Sequence, residues 1–404
     1  GGEMAGKGAD MSWCVTGGGM LGLTLALRLA QQGKKVTVLE AAPQIGGLAS
    51  AWRAGEVAWD RFYHVILLSD AYTRALLGEI GLEDDARWVT TRTGVWAEGR
   101  LHSASSSLDL AMLPVLTPID KARLVATVLR ASRLTDWQAI ERMSVEEWLV
   151  RWSGRRAFER FWLPLLRSKL GDAWRDTSAA FIWATIQRLY AARRSGLKRE
   201  LFGYVRGGYR AILEALTKRL TEAGVEIVTS APVETIEPGA EGLLVRMENG
   251  ETRPFQRVVV TAAPPVAARL CPTLHADERA RLEAVRYLGV VCASVLMRRP
   301  LAGYYVTNLL DPAPFTGVIE MTALVDPAEL KGRHLAYLPR YVAADDPFFD
   351  EPDEAVRATF LPALRRVMPT MAEADVLAFQ VARARHVMAL PVQGYSTQVP
   401  SVST

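Results

Sequence analysis

Cysteine is scarce and scattered in this chain. Cys14, Cys271 and Cys292 are the only three among 404 residues, and none stands in a CxxC pair or at metal-ligand spacing from a histidine. A disulfide framework and a zinc site are therefore excluded, and a reducing compartment fits best. Histidine is nearly as sparse: His64, His102, His275, His334 and His386 stand far apart, so no metal is expected. Long apolar runs are missing too. The longest uncharged stretch without a proline, Met11 to Leu27, is broken by glycines and falls short of the roughly 20 apolar residues a membrane helix needs. Charge of one sign is not in excess. With 48 Lys and Arg against 44 Asp and Glu, and no extended basic run, nucleic acid is not expected as a partner. Gly1 to Asp10 hold no hydrophobic signal core, Met11 reads as the natural start, and the chain is expected in the cytoplasm.

What is present describes a folded protein. Half of the residues are hydrophobic and 23% are charged, enough to bury a large core, and the length favours two domains that interleave along the chain. Met11 to Thr16 is an apolar run ending in glycines; Leu21, Leu25 and Leu29 then recur at helical spacing up to Gly33, and Lys35 to Glu40 reads as a second buried strand. From about Leu82 to Gly203 helical periodicity dominates and strand-like runs are few. Within it, Ile119 to Leu134 predicts a helix with Leu124, Val125, Val128 and Leu129 on one face and Arg123 and Arg130 pointing away. Gly207-Gly208 opens another helix, Val225 to Ser230 returns to strand, and Leu243 to Met247, the Asn249-Gly250 turn and Arg257 to Thr261 form a small β section with a hairpin. Tyr287 to Met297 reads as a buried strand, Val291 to Val325 alternates apolar and polar residues, and Asp353 to Met368 is largely helical despite Pro362. The predicted fold is α/β. It has a Rossmann-like dinucleotide domain in residues 11–81 and 204–290, and a discontinuous, largely helical plus β-sheet substrate domain in residues 82–203 and 291–395.

The chemistry is most legible at the first turn. Gly17, Gly19 and Gly22 give GxGxxG between a buried strand and a helix. There the first glycine permits the tight turn, the second lets backbone approach a pyrophosphate, and the third lets helix and strand pack closely. The N-terminal turn of the helix, with Met20 and Leu21, presents unsatisfied N–H groups to the phosphates. Glu40, followed by Ala41, ends the next strand where a carboxylate can take ribose hydroxyls and would repel a 2′-phosphate. A second pair, Gly46-Gly47, with Leu48 and Ala49, follows at once. Backbone kept close to the ligand beyond the acidic residue suits the longer FAD rather than NAD, so FAD is the expected cofactor. The bland alternative is a loop glycine pair with no ligand.

These pieces resemble the flavin-containing amine oxidase superfamily, including protoporphyrinogen oxidase and phytoene-desaturase-like enzymes. The matching segments are Gly17 to Gly22, Glu40 with Gly46 to Ser50, Asp60-Arg-Phe-Tyr-His64, Gly207-Gly208, Ala231-Pro-Val233 and Val258 to Pro264. The resemblance implies that Val233 meets the adenine, that Thr261, Ala262 and Pro264 lie along the dinucleotide, and that Tyr63 and His64 run close to the isoalloxazine. Leu48 stands where amine oxidases usually carry arginine, which looks more like the desaturase, protoporphyrinogen oxidase and UDP-galactopyranose mutase branches. The resemblance also implies a closing glycine-rich, flavin-contacting segment that is not found before Thr404.

The implied activity is removal of hydride from a hydrophobic or aromatic small molecule. Two alternatives stay open: a non-redox flavoenzyme of the UDP-galactopyranose mutase type, and a non-catalytic nucleotide-binding or partner-binding protein. His64 is the first candidate for a polar group at the flavin, because an imidazole titrates near neutral pH. Lys169 is a candidate anion-binding or active-site lysine, and Glu320 a candidate in the floor of the substrate site. Each has a plain structural alternative. All eleven tryptophans lie between Trp13 and Trp183; they can line an apolar pocket, pack a core or, with the amphipathic Ile119 to Leu134 helix, touch a membrane surface. The oligomeric state is not legible.

Overall fold

The computed structural model describes residues 12–194 and 201–403. Strand β1 (Ser12–Thr16), helix α1 (Met20–Gln31) and strand β2 (Lys35–Leu39) form the first βαβ unit. The two strands are parallel neighbours in a four-stranded sheet, flanked by Glu226–Val228 on one side and Arg257–Val260 on the other. Every strand of this sheet is parallel, so both of its faces are covered and its strands read as apolar runs. Leu23, Ala26 and Leu27 of α1 pack with Val15, Val36 and Val38 beneath them. The helix Gly208–Glu222 lies against α1 and adds Ile212, Leu216 and Leu220 to that core.

A seven-stranded sheet carries the second body of structure. Its order is Val376–Ala389, Tyr287–Met297, His334–Ala343, Gly317–Glu320, Val306–Leu309, Thr93–Ala97 and Arg100–Ser103. Tyr287–Met297 is buried along nearly its whole length because strands pair on both edges and both faces are covered. Val291, Ala293, Val295 and Met297 point to the side closed by the helix Asp353–Val367. Val290, Cys292 and Leu296 point to the other side, toward Trp52, Trp59, Phe62 and Tyr204.

Three local expectations need correction. The stretch after Leu82 opens with strands Ala86–Thr90, Thr93–Ala97 and Arg100–Ser103 before its helices begin. Their short apolar runs gain a role only by pairing with distant segments, as Thr93–Trp96 does with Val306–Leu309. The hairpin arms are Gly242–Met247 and Thr252–Phe255, whereas Arg257–Val260 joins the parallel sheet beside β1. The helix Pro118–Arg133 forms as expected, started by a Thr117 cap and a proline in its first turn, but of the four apolar residues expected on its inner face only Leu124 and Val128 pack inward, beside the buried Asp120, Thr127 and Ala131. Val125 and Leu129 face solvent instead. Among the tryptophans of the helical region, Trp148, Trp162 and Trp174 pack in its core with Leu149, Phe158 and Leu170, so these three do not line a pocket.

Candidate functional site

The two glycine loops meet. Gly46 donates its N–H to the Gly18 carbonyl at 2.8 Å, and Gly19 and Gly46 form a parallel bridge. Gly46 is held at φ +119°, where a side chain would be strained, and a Cβ there would lie 2.6 Å from Leu213 Cδ1. The first turn is equally specific. Gly17 adopts φ +108°, a Cβ on it would stand 2.3 Å from Thr261 Oγ1, and a Cβ on Gly22 would stand 1.8 Å from the Gly17 carbonyl oxygen. Gly19 differs: nothing lies within 4 Å of the position its Cβ would take. Two glycines are thus required by packing and one borders open space at the N-terminus of α1, the arrangement an anionic phosphate needs.

Around this cradle the other expected residues assemble. The Glu40 carboxylate accepts N–H bonds from Gly18 at 2.6 Å and Ala42 at 2.9 Å, which fixes it at the mouth of the turn. Each oxygen keeps a further lone pair for a hydroxyl donor. Ala231 donates its N–H to the Glu40 carbonyl, so the strand beginning at Val233 starts beside the acidic residue. Thr261 donates both its N–H and its hydroxyl to the Thr16 carbonyl, at 3.0 and 2.7 Å. Ala262 follows it, and Pro264 opens the helix Pro264–Leu270 at the same end of the sheet. Met20 and Leu21 form the first turn of α1, Ala41 follows Glu40, and Gly47, Leu48 and Ala49 form a single helical turn. Leu21 and Leu48 both carry exposed side chains.

A second cluster lies where the segment ending at His64 crosses the inner face of the large sheet. Tyr63 and Tyr341 meet hydroxyl to hydroxyl. Burial, and then the neighbouring Tyr341, push the Tyr63 hydroxyl well above its ordinary pKa. Tyr337 donates its hydroxyl to the Asp60 carbonyl oxygen at 2.6 Å. The His64 ring packs 4.8 Å from that of Tyr209. Burial lowers the His64 pKa, and its Nδ1 is buried without a hydrogen-bond partner. Asp60, 2% exposed, accepts the Tyr209 N–H at 2.9 Å at the start of the helix Gly208–Glu222. Burial raises its pKa to about 7, with that N–H bond opposing. Gly208, at φ +71°, makes the approach possible: a Cβ there would sit 2.9 Å from Asp60 Oδ1. Sequence reasoning gave Asp60, Tyr209, Tyr337 and Tyr341 no role. Asp60 opens one of the segments that carry the resemblance, but Tyr341 lies 278 residues from Tyr63 and had no local signal.

The other two catalytic candidates lie elsewhere. Lys169 reaches solvent yet is surrounded by protein, with its ammonium 5.9 Å from the Phe181 ring centre; burial and then Arg188 lower its pKa. Its helix, Leu163–Leu170, is tied to the strand carrying Tyr341 through Thr316, which donates its hydroxyl to Ser168 and its N–H to Pro339. Glu320 is 1% exposed, and its oxygens accept the Leu301 and Gly303 N–H groups at 2.9 and 2.7 Å. Burial raises its pKa and those bonds oppose the rise. The carboxyl anchors the 301–303 turn.

Comparison with known proteins follows the same lines. The coproporphyrinogen III oxidase of Mycobacterium tuberculosis is 27% identical over 297 residues, covering 66% of this chain and 63% of that protein. The chain therefore spans a little under two thirds of that relative's length. A 15-cis-phytoene desaturase of Glycine max is 33% identical over 75 residues, 18% of this chain and 13% of that protein. Among solved structures, reduced UDP-galactopyranose mutase superposes with a TM-score of 0.75 at 16% identity, over 96% of this chain and 86% of that one. Cyclohexylamine oxidase from Brevibacterium oxydans gives 0.70 at 17% identity, over 93% and 85%. The two structures share the fold, and the profile of the flavin containing amine oxidoreductases matches residues 21–387. The chain belongs to the flavin containing amine oxidoreductase family.

Proposed function

We propose that the chain is an FAD-dependent oxidoreductase that takes hydride from a hydrophobic or aromatic small molecule. The observation that carries this reading is the joined cradle of Gly17–Gly22 and Gly46–Gly47, closed by Glu40 on one side and Thr261 on the other. The residues fit FAD. Open space over Gly19 at a helix N-terminus suits its pyrophosphate, the fixed Glu40 carboxylate suits its ribose, and the unpartnered Nδ1 of His64 suits a polar edge farther along. When bound, the flavin supplies the hydride acceptor.

The protein's own residues supply position and a dry surrounding. Tyr63 and Tyr341 lie over the buried face of the large sheet, and His64 and Tyr209 pack ring to ring near the start of the helix Gly208–Glu222, aromatic surfaces suited to a flat ring and to excluding water. The neutral imidazole of His64 accepts or donates one hydrogen bond at its free nitrogen. The Tyr63–Tyr341 hydroxyl pair holds its protons at neutral pH, so it orients by hydrogen bonding rather than by charge. Asp60 fixes the start of the helix Gly208–Glu222 and, through the Tyr337 hydroxyl on its carbonyl, the sheet beneath.

Porphyrinogens are the first substrates to assay, because the M. tuberculosis relative is a coproporphyrinogen III oxidase. Purified chain loaded with FAD is mixed anaerobically with coproporphyrinogen III, protoporphyrinogen IX and a panel of hydrophobic amines. Bleaching of the oxidised flavin by one of these supports the proposal. Turnover of a sugar nucleotide only after chemical reduction of the flavin would instead assign the chain to mutase chemistry, the reading that Leu48 keeps open.

A further inference from the structure

Lys169 is a cation without a counter-charge on the wall of a cleft. Its helix, Leu163–Leu170, covers the same face of the seven-stranded sheet as Tyr341. Leu165 of that helix packs with Val95 and Ala97, whereas Trp96 between them points to the core on the other side of the sheet, with Val291 and Val295. Tyr63, Tyr337 and Tyr341 pack on the side away from that core, with Val290 and Cys292. Lys169 follows Leu165 by four residues, so both side chains leave the helix on the side turned to the sheet. Thr316 pins this last turn: its hydroxyl donates to the Ser168 carbonyl at 2.7 Å, and its N–H donates to the carbonyl of Pro339, two residues before Tyr341. Lys169, Tyr63 and Tyr341 each keep accessible surface although protein surrounds them. Such side chains line a recess; they belong neither to a closed core nor to an outer surface.

The helix Ala179–Arg194 supplies the neighbours of the ammonium. Phe181 and Arg188 stand seven residues apart, two turns on, and so share one side of that helix. The Lys169 ammonium lies 5.9 Å from the Phe181 ring centre. Burial, and after it Arg188, lower its pKa, and no acid among the described residues acts on it in the opposite sense. The two acids that follow Lys169 along the chain are engaged elsewhere, Asp172 with Arg175 at 3.2 Å and Asp176 with Arg286 at 3.1 Å. Two cations brought together in a recess without an acid cost free energy that a bound anion recovers. The partner is therefore to be sought on a ligand. A point-like ammonium beside a phenyl ring suits a singly charged group on an apolar or aromatic body, whereas a diphosphate calls for more donors than this wall presents.

We propose that Lys169, assisted by Arg188, binds a carboxylate of the substrate, so that the molecules oxidised at the flavin are apolar or aromatic acids held by their carboxyl end at the helical wall of the cleft. The assignment rests on the oxidoreductase reading above and adds a charge requirement to its substrate.

The test is site-resolved acetylation of the full chain loaded with FAD, each lysine followed by mass spectrometry. Saturating 2-naphthoate and decanoate are expected to slow modification of Lys169 about tenfold, while neutral 2-naphthamide leaves it unchanged and Lys121, Lys218 and Lys331 react at their former rates. Arg188→Gln is expected to weaken the protection roughly threefold. In calorimetric titration with 2-naphthoate, Lys169→Met should lose about tenfold in affinity and Lys169→Arg should keep most of it. Both substituted side chains reach solvent, so thermal melts matching the parent protein establish that folding is intact. Absence of protection by both acids, equal protection by the amide, or unaltered affinity in Lys169→Met overturns the proposal. Protection by uridine diphosphate in place of the acids overturns it in favour of a phosphate-bearing substrate. Acetylation needs no flavin turnover, so these outcomes are read separately from the anaerobic bleaching that tests the oxidoreductase reading.

Discussion

Replacing Asp60 by asparagine should make the protein more stable at alkaline pH and change little under acidic conditions. Asp60 is 2% exposed, and burial raises its carboxyl from 3.8 to about 7. In the unfolded chain the group returns to its ordinary value. Below about pH 4 both states carry the proton and the group contributes nothing to pH dependence. Between pH 4 and 7 the folded state keeps a proton that the unfolded state has released, so stability falls as pH rises. Above 7 both are ionised and the full penalty remains. A shift of about three units corresponds to roughly 4 kcal/mol at most. The substituted amide has no proton to lose, and its oxygen can still accept the Tyr209 N–H. Urea unfolding of both proteins at pH 5, 6, 7 and 8.5 gives the difference directly, because all other titrating groups cancel. The stability gap should widen steadily in favour of Asp60→Asn up to pH 7 and then level off. A gap that stays constant, or that shifts toward the parent protein with rising pH, would refute the assignment of a neutral buried Asp60.

Two further substitutions separate packing from ligand contact. Gly22→Ala places a methyl 1.8 Å from the Gly17 carbonyl oxygen and should abolish ADP and FAD binding in calorimetric titrations; retained affinity would show that the turn yields without consequence. Glu320→Gln removes the charge that accepts the Leu301 and Gly303 N–H groups, and one of its two acceptors becomes a donor. A loss of about 1–3 kcal/mol in unfolding free energy is expected, with FAD affinity unchanged, whereas unaltered stability with altered flavin reactivity would give Glu320 a direct role.

The parts legible in the sequence are those whose signal is local. Gly17, Gly19 and Gly22 stand between two apolar runs, and Glu40 follows the second, so the βαβ unit and its turn are readable within thirty residues. The joining of Gly46 to Gly18 is not readable, because a hydrogen bond between two loop backbones leaves no periodicity. The seven-stranded sheet was hidden for a related reason. Thr93–Ala97 is a short run whose partner, Val306–Leu309, lies some two hundred residues on, and nothing in either segment names the other. The Pro118–Arg133 helix is readable as a helix, and its facing only in part. Periodicity locates an apolar stripe but not its exact edges, and here Leu124 and Val128 join Thr127 and Ala131 on the inside while Val125 and Leu129 face out. The Asp60, Tyr337 and Tyr341 cluster joins three distant segments and became visible only in three dimensions.

The central claim is that the two glycine loops hold FAD, and titration of the purified chain with FAD, followed by absorption and calorimetry, tests it most directly. Saturable one-to-one binding with a flavin absorption band, displaced by ADP and abolished by Gly22→Ala, is the predicted result. A chain that takes up neither FAD nor ADP, while its melting transition shows it folded, would contradict the account.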